Sequence, residues 1–202
     1  MSLRAELVGG SAGMPAFAVL LPAGWEATDA SFTSMRPRLD AMLDRFPVAN
    51  RAMMRARVDE MMQAAGAEAS RAEIVRVFAP AGADPEDFVP VSLVASWLRA
   101  PVGGLLQDVG SGLIANRGAT PLDPSGTILR WQMDAKSAVE GGEVDVAGVG
   151  YLIPVPGHPA VGLMFRSQIL RGAAGAQVPD EGLRAISLLC DGIVASVRWR
   201  RG

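Results

Sequence analysis

The sequence predicts an α+β fold, an antiparallel sheet of about six strands flanked by helices, and three observations carry that expectation. Between residues 127 and 170 three runs of alternating apolar residues follow one another, each bounded by Gly or Pro, which is the pattern of a three-strand meander. Two further alternating runs, 72 to 79 and 88 to 99, precede it. Elsewhere, over 34 to 65, 102 to 118 and 180 to 197, the apolar spacing changes to that of amphipathic helices.

Taken in order, residues 1–13 are expected to be a flexible N-terminus to a single domain spanning 1–202. Met14 to Pro22 read as a short strand, begun near Pro15 and stopped by Pro22 and the turn at Gly24. Trp25 is expected to fold back over the end of the sheet. Between Ser34 and Ala65 the residues Leu39, Leu43 and Phe46 form one helical stripe and Met54, Val58, Met61 and Met62 a second, with Pro47 between them. Two helices, or one kinked at Pro47, both satisfy this pattern, and Gly66 is a natural stop. Six of the ten methionines, Met35, Met42, Met53, Met54, Met61 and Met62, fall here. Methionine fills irregular cores and also builds adaptable binding faces, so Met53, Met54, Met61 and Met62 are the candidate partner-binding residues.

In the strand expected over 88 to 99, Val89, Val91, Leu93, Ala95 and Trp97 share one face, with Val94 and Leu98 on the other. Its hairpin partner is 72 to 79, across a loop rich in Gly, Pro and acid. After Pro101 the residues Val102, Leu105, Leu106, Val109 and Leu113 predict a helix packed on the sheet and ending near Gly118. In the meander Leu129, Trp131 and Met133 oppose Arg130 and Gln132, and Val161, Leu163, Phe165 and Ile169 oppose Arg166 and Gln168. The first hairpin is expected at Gly141 and Gly142. The apolar parity changes from Val144 and Val146 to Val149, Tyr151 and Ile153, which predicts a bulge near Ala147 and Gly148. Pro154, Pro156 and Pro159 stiffen the second loop, a shape suited to recognition. The last helix opens at Asp180 and Glu181, and Leu183, Ile186, Cys190, Ile193, Val194 and Val197 form its apolar stripe.

Composition bounds the function. Half of the 202 residues are hydrophobic and 20% are charged, ordinary values for a globular chain. A net charge of −2 with dispersed basic residues argues against nucleic acid as a partner. Arg198, Arg200 and Arg201 are the densest basic run and are expected to close the last helix. Every cationic residue but Lys136 is arginine, a bias that suggests a GC-rich bacterium. Cys190, the single cysteine, is expected to be a small buried hydrophobe. No segment reads as a signal sequence or membrane span, so a cytoplasmic location is the expectation.

Motifs for chemistry are sparse. Gly9, Gly10, Ser11, Ala12 and Gly13 match a nucleophile elbow in letters alone, because a strand follows the serine where a helix is needed. His158 is the only histidine, and one His with one Cys cannot close a zinc or iron site, so no metal and no cofactor is expected. Nor is there a phosphate-binding G-x-x-x-x-G-K-[ST]. Asp84, Glu86 and Asp87 are read as solvated loop acids.

Phe17 to Trp25, an apolar strand running into Leu21, Pro22, Ala23, Gly24 and Trp25, resembles the opening of the Mog1/PsbP-like superfamily. The segment Cys190 to Trp199, with Ile193, Val194, Ser196 and Arg198, resembles that superfamily's closing helix. The resemblance implies an α/β/α sandwich, a scaffold that binds other macromolecules and generally has no active site. Its bacterial members include lipoproteins with a lipidation cysteine near the start, and Met1 to Gly13 has none.

Three functions are therefore expected, in order. The first is a non-catalytic protein-binding, accessory or chaperone-like role, with secretion-system accessory and immunity-type proteins as examples. Its partner is another protein, a second copy of the chain included. The second is a carrier of a small hydrophobic ligand, in a pocket between sheet and helices lined by Trp97, Trp131 and Tyr151. The third is an enzyme of unfamiliar type.

Overall fold

The computed structural model describes residues 3–8, 13–29, 55, 70–81, 91–133, 135–139, 142–170, 172–173, 176–177 and 179–200. The helices expected over 34–65, and the loop over 82–90, lie outside the described residues, Arg55 apart.

The elements in order are β1 (Leu3–Val8), β2 (Phe17–Pro22), β3 (Trp25–Asp29), β4 (Ile74–Pro80), β5 (Val91–Arg99), α1 (Leu106–Arg117), β6 (Thr120–Pro121), β7 (Leu129–Gln132), β8 (Ala135–Val139), β9 (Gly142–Val155), β10 (His158–Leu170), β11 (Gly172–Ala173), β12 (Ala176–Gln177), α2 (Asp180–Ala195) and β13 (Arg198–Trp199). Among the described residues the main sheet has eight strands in the order β3-β4-β5-β10-β9-β7-β6, with β8 also paired to β9. A second sheet has the order β1-β2-β13, and β11 pairs with β12. Every described pairing is antiparallel. The fold is α+β.

Both faces of the main sheet are covered, as the parity of β10 shows. Leu163 and Phe165 point into the larger core with Tyr151, Cys190, Ile193 and Val194, whereas Met164 between them joins Leu106, Trp131 and Leu152 in a smaller one. Successive strand residues face opposite ways, so α2 lies on one face and α1 on the other. The second sheet shares the α2 side: Phe17, Val19 and Leu21 are fully buried in the larger core. Phe17 meets Trp97 and Phe165 edge to face, and Trp199 stacks on Trp97 at 6.4 Å.

The expected faces of β5, β7 and β10 hold. Val91, Leu93, Ala95 and Trp97 enter the larger core while Leu98 packs against the smaller, and Arg166 and Gln168 are exposed. The apolar stripe expected for α2 holds from Leu183 to Val194, while Val197 is buried beyond the end of the helix.

Four expectations are corrected. The stretch expected as a flexible N-terminus contains β1, paired with β2 from Leu3↔Pro22 to Val8↔Phe17. Its apolar residues Leu3 and Leu7 are exposed and its inward row carries Arg4 and Glu6, so pairing rather than burial periodicity holds the strand. Trp25 does not cap the sheet; it begins β3 and is buried opposite Pro80. No bulge interrupts β9 at Ala147 and Gly148: its register with β10 runs unbroken from Pro154↔Gly162 to Val146↔Leu170. The glycines answer a different demand, close approach of neighbours. A Cβ at Gly148 would lie 2.6 Å from the Ser167 carbonyl oxygen, and one at Gly150 would lie 2.3 Å from the Trp131 ring. Finally, Arg198 does not close α2. The helix stops at Ala195, and Arg198 and Trp199 pair with Ala18 and Phe17.

Candidate binding cleft and the buried polar network

The candidate methionines Met53, Met54, Met61 and Met62 lie outside the described residues. The aromatic candidates are described, and the fold does not bring them together. Trp97 and Tyr151 belong to the larger core, whereas Trp131 lies across the sheet in the smaller one, over Gly150.

A cleft of about 450 Å³ does open on the α1 side, between that helix and the β9–β10 hairpin. Its position follows from how both walls are built. The Asp108 carboxylate accepts the Leu105 N–H at 3.1 Å across the start of α1, and Gly118 ends the helix at φ 63°, in the left-handed region. Leu106 and Gly110 form the buried side, and a Cβ at Gly110 would sit 3.3 Å from Leu129, so the helix lies close to β7. The opposite wall is stiff. Pro154, Pro156 and Pro159 fix their φ angles, and the hairpin turns at Gly157 with φ 77° between Val155 and His158.

The lining is mostly apolar, from Leu105, Leu106, Ile114, Leu129, Leu152 and Val155, with Gln107, Ser111, Thr127 and His158 as polar points. Leu105 and Ile114 remain 48% and 52% exposed, and Val102 near the helix start is fully exposed. Val102 and Leu105 were expected within the helical stripe; both precede α1 and stay outside the core. The prolines of the hairpin were the sequence signal for this site, but the helix facing them was not foreseeable from spacing.

On the α2 side the polar groups form a closed network. Asp191 Oδ1 accepts from Arg130 Nε at 2.9 Å and from the Tyr151 hydroxyl at 2.6 Å. Burial, reinforced by the neighbouring Asp191 carboxylate, pushes the Tyr151 phenol well above its ordinary range. Burial likewise pushes the Cys190 thiol up to about 12, with Asp191 adding to the shift, so Cys190 stays protonated and is a poor nucleophile. These groups satisfy one another and hold α2 to the sheet. Among the described residues no cluster of three or more His, Cys, Asp or Glu could hold a metal, and no helix is long and apolar enough to cross a membrane.

This arrangement is a rigid antiparallel sandwich bearing an open apolar cleft. No protein-family model matches the chain, and no curated protein matches it. Among solved structures it is similar to the Ran-binding protein Mog1p of Saccharomyces cerevisiae, at 13% identity and a TM-score of 0.46, covering 98% of this chain and 96% of that one. A mutant form of protein Mog1 is similar to the same extent, at 12% identity and a TM-score of 0.46, with the same coverage. Neither likeness says anything of this chain's partner.

Proposed function

We propose that this chain is a non-catalytic protein-binding module, an accessory or chaperone-like component of a GC-rich bacterium, and that it seats its partner in the cleft between α1 and the β9–β10 hairpin. The observation that carries the reading is the exposure of Leu105 and Ile114 on the rim of an apolar cleft whose walls are stiff. A side chain that stays half exposed in the folded chain contributes little to its core, and a partner that covers it gains that burial. An apolar side chain of the partner fills the cleft, and Gln107, Ser111 and His158 set its orientation through polar contacts.

The test is affinity purification of the tagged chain from its host, compared with Ile114→Asp and Leu105→Asp forms. A stoichiometric protein is expected with the native chain and lost with both variants, whose melting temperatures stay close to the native value. The identity of that protein separates a secretion-system accessory from an immunity-type protein. Retention by both variants would exclude the cleft. A preparation carrying a small hydrophobic molecule and no protein would favour the carrier reading, for which a cleft of this volume is large enough.

A further inference from the structure

β1 is the last strand of the β1-β2-β13 sheet, and among the described residues nothing pairs with its outer edge. Which groups that edge presents follows from the far side of β2. There Leu20 N–H donates to Ser196 Oγ at 2.8 Å, and the Ala16 carbonyl accepts from Arg200 N–H at 2.8 Å. The even-numbered residues of this strand therefore direct their backbone groups toward β13, and Phe17, Val19 and Leu21 direct theirs toward β1. Their partners are Val8, Glu6 and Arg4. It follows that Leu3, Ala5 and Leu7 turn N–H and C=O outward to the free edge.

The same three residues place their side chains on the outer face beside Leu20, where Leu3 is 59%, Leu7 51% and Leu20 40% exposed. An edge that joins outward backbone groups to exposed leucines is a template for pairing, and the inward charges Arg4 and Glu6, which would ordinarily blunt it, meet opposite charges when the strand faces its own copy. The order Leu3, Arg4, Ala5, Glu6, Leu7 is charge-complementary to its own reverse. Run antiparallel to itself about Ala5, the segment sets Leu3 against Leu7, Arg4 against Glu6 and Ala5 against Ala5, on both sides of the axis.

We propose that two copies of this chain associate by antiparallel pairing of β1 with β1 across a two-fold axis at Ala5. The pairing joins two β1-β2-β13 sheets into one continuous sheet. The outward backbone groups of Leu3, Ala5 and Leu7 bond to their counterparts, and the exposed leucines of both copies form one apolar strip. Arg4 and Glu6 already form a long, partly exposed contact at 3.5 Å within the chain, which exchanges for the contact across the axis. The Arg4 Nη2 bond to the Trp25 carbonyl, at 3.2 Å, stays within each copy.

Sedimentation velocity on the full chain over a concentration series tests this, with Ala5→Pro and Arg4→Glu forms beside the native one. Ala5→Pro removes an outward N–H and leaves the bonds to β2 intact, so the fold is kept and the dimer weakens by about tenfold or more. Arg4→Glu sets like charges opposite one another and weakens the dimer, and adding Glu6→Arg restores it. Should the Arg4 variants fail to fold, Ala5→Pro alone decides. A native chain that is monomeric throughout overturns the proposal, and so does a dimer that Ala5→Pro does not weaken. The Ile114→Asp form is expected to dimerise normally, so failure of the cleft reading and of this one are separately visible.

Discussion

The Tyr151 hydroxyl donates to Asp191 Oδ1 at 2.6 Å, and Arg130 Nε donates to the same oxygen at 2.9 Å. One carboxylate thus ties the second turn from the end of α2 to two neighbouring strands, β9 and β7. Tyr151→Phe removes one bond and leaves the ion pair, at a cost of about 1–2 kcal/mol. Asp191→Ala strands both the phenol and the half-buried guanidinium and costs more, about 2–4 kcal/mol. Denaturant titration with unchanged slope checks both, and equal midpoints for all three proteins would show that the network holds nothing.

Tyr151 is the single tyrosine, so tyrosinate absorbance reports this group alone. Burial, then the hydrogen bond and charge of Asp191, raise its pKa above the ordinary 10.0. For a group whose folded value is raised, the stabilisation is whole below the ordinary value and falls away as the pH climbs beyond it. The native chain is expected to show no tyrosinate near pH 10, and the urea-unfolded chain to titrate there. A native titration near the ordinary value would contradict the packing.

Two glycines answer the same substitution with opposite sign. At Gly150 a Cβ meets the Trp131 ring at 2.3 Å, so Gly150→Ala forces the indole aside and destabilises by about 1–3 kcal/mol. At Gly192, in the last turn of α2, a Cβ meets nothing within 4 Å, and Gly192→Ala gains about 0.5–1 kcal/mol of helix stability. Thermal unfolding of both variants measures the pair; the same sign for both would refute it.

Asp123 is held down to about 2, first by the Ser125 hydroxyl and further by the Ile128 N–H at 2.8 Å and the Thr127 hydroxyl at 2.9 Å, against the opposing effect of burial. A depressed carboxylate stabilises above its ordinary value, 3.8, and loses that contribution as the pH falls toward about 2. Asp123→Asn is expected to lower the melting temperature at neutral pH, with the gap to the native chain closing across that acid window. A gap independent of pH would mean that the loop is held by shape rather than by charge.

What the sequence made legible is what burial writes into it. Leu163, Phe165 and Ile169 on β10, and Cys190, Ile193 and Val194 on α2, sit where one-sided burial imposes a period, and periods can be read. Where contact partners impose the structure, nothing local announces it. β1 buries only Val8, and β13 has two residues, so each exists because β2 lies between them. Asp191 reads as one acid in a helix; its partners are 61 and 40 residues away. Gly148 and Gly150 carried a visible signal, but close approach and a bulge leave the same letters.

The seating of β13 on β2 has a consequence for the chain as it is made. Leu20 donates to a hydroxyl 176 residues further on, and Phe17 rests edge to face on Trp199 at 5.9 Å. A ribosome releases Leu20 fully 176 residues before Ser196, so over that interval the row Phe17, Val19, Leu21 lacks the strand that closes beside it. The sandwich closes only after translation has passed Trp199, and a nascent chain stalled earlier displays that apolar row to whatever chaperone or aggregate reaches it first.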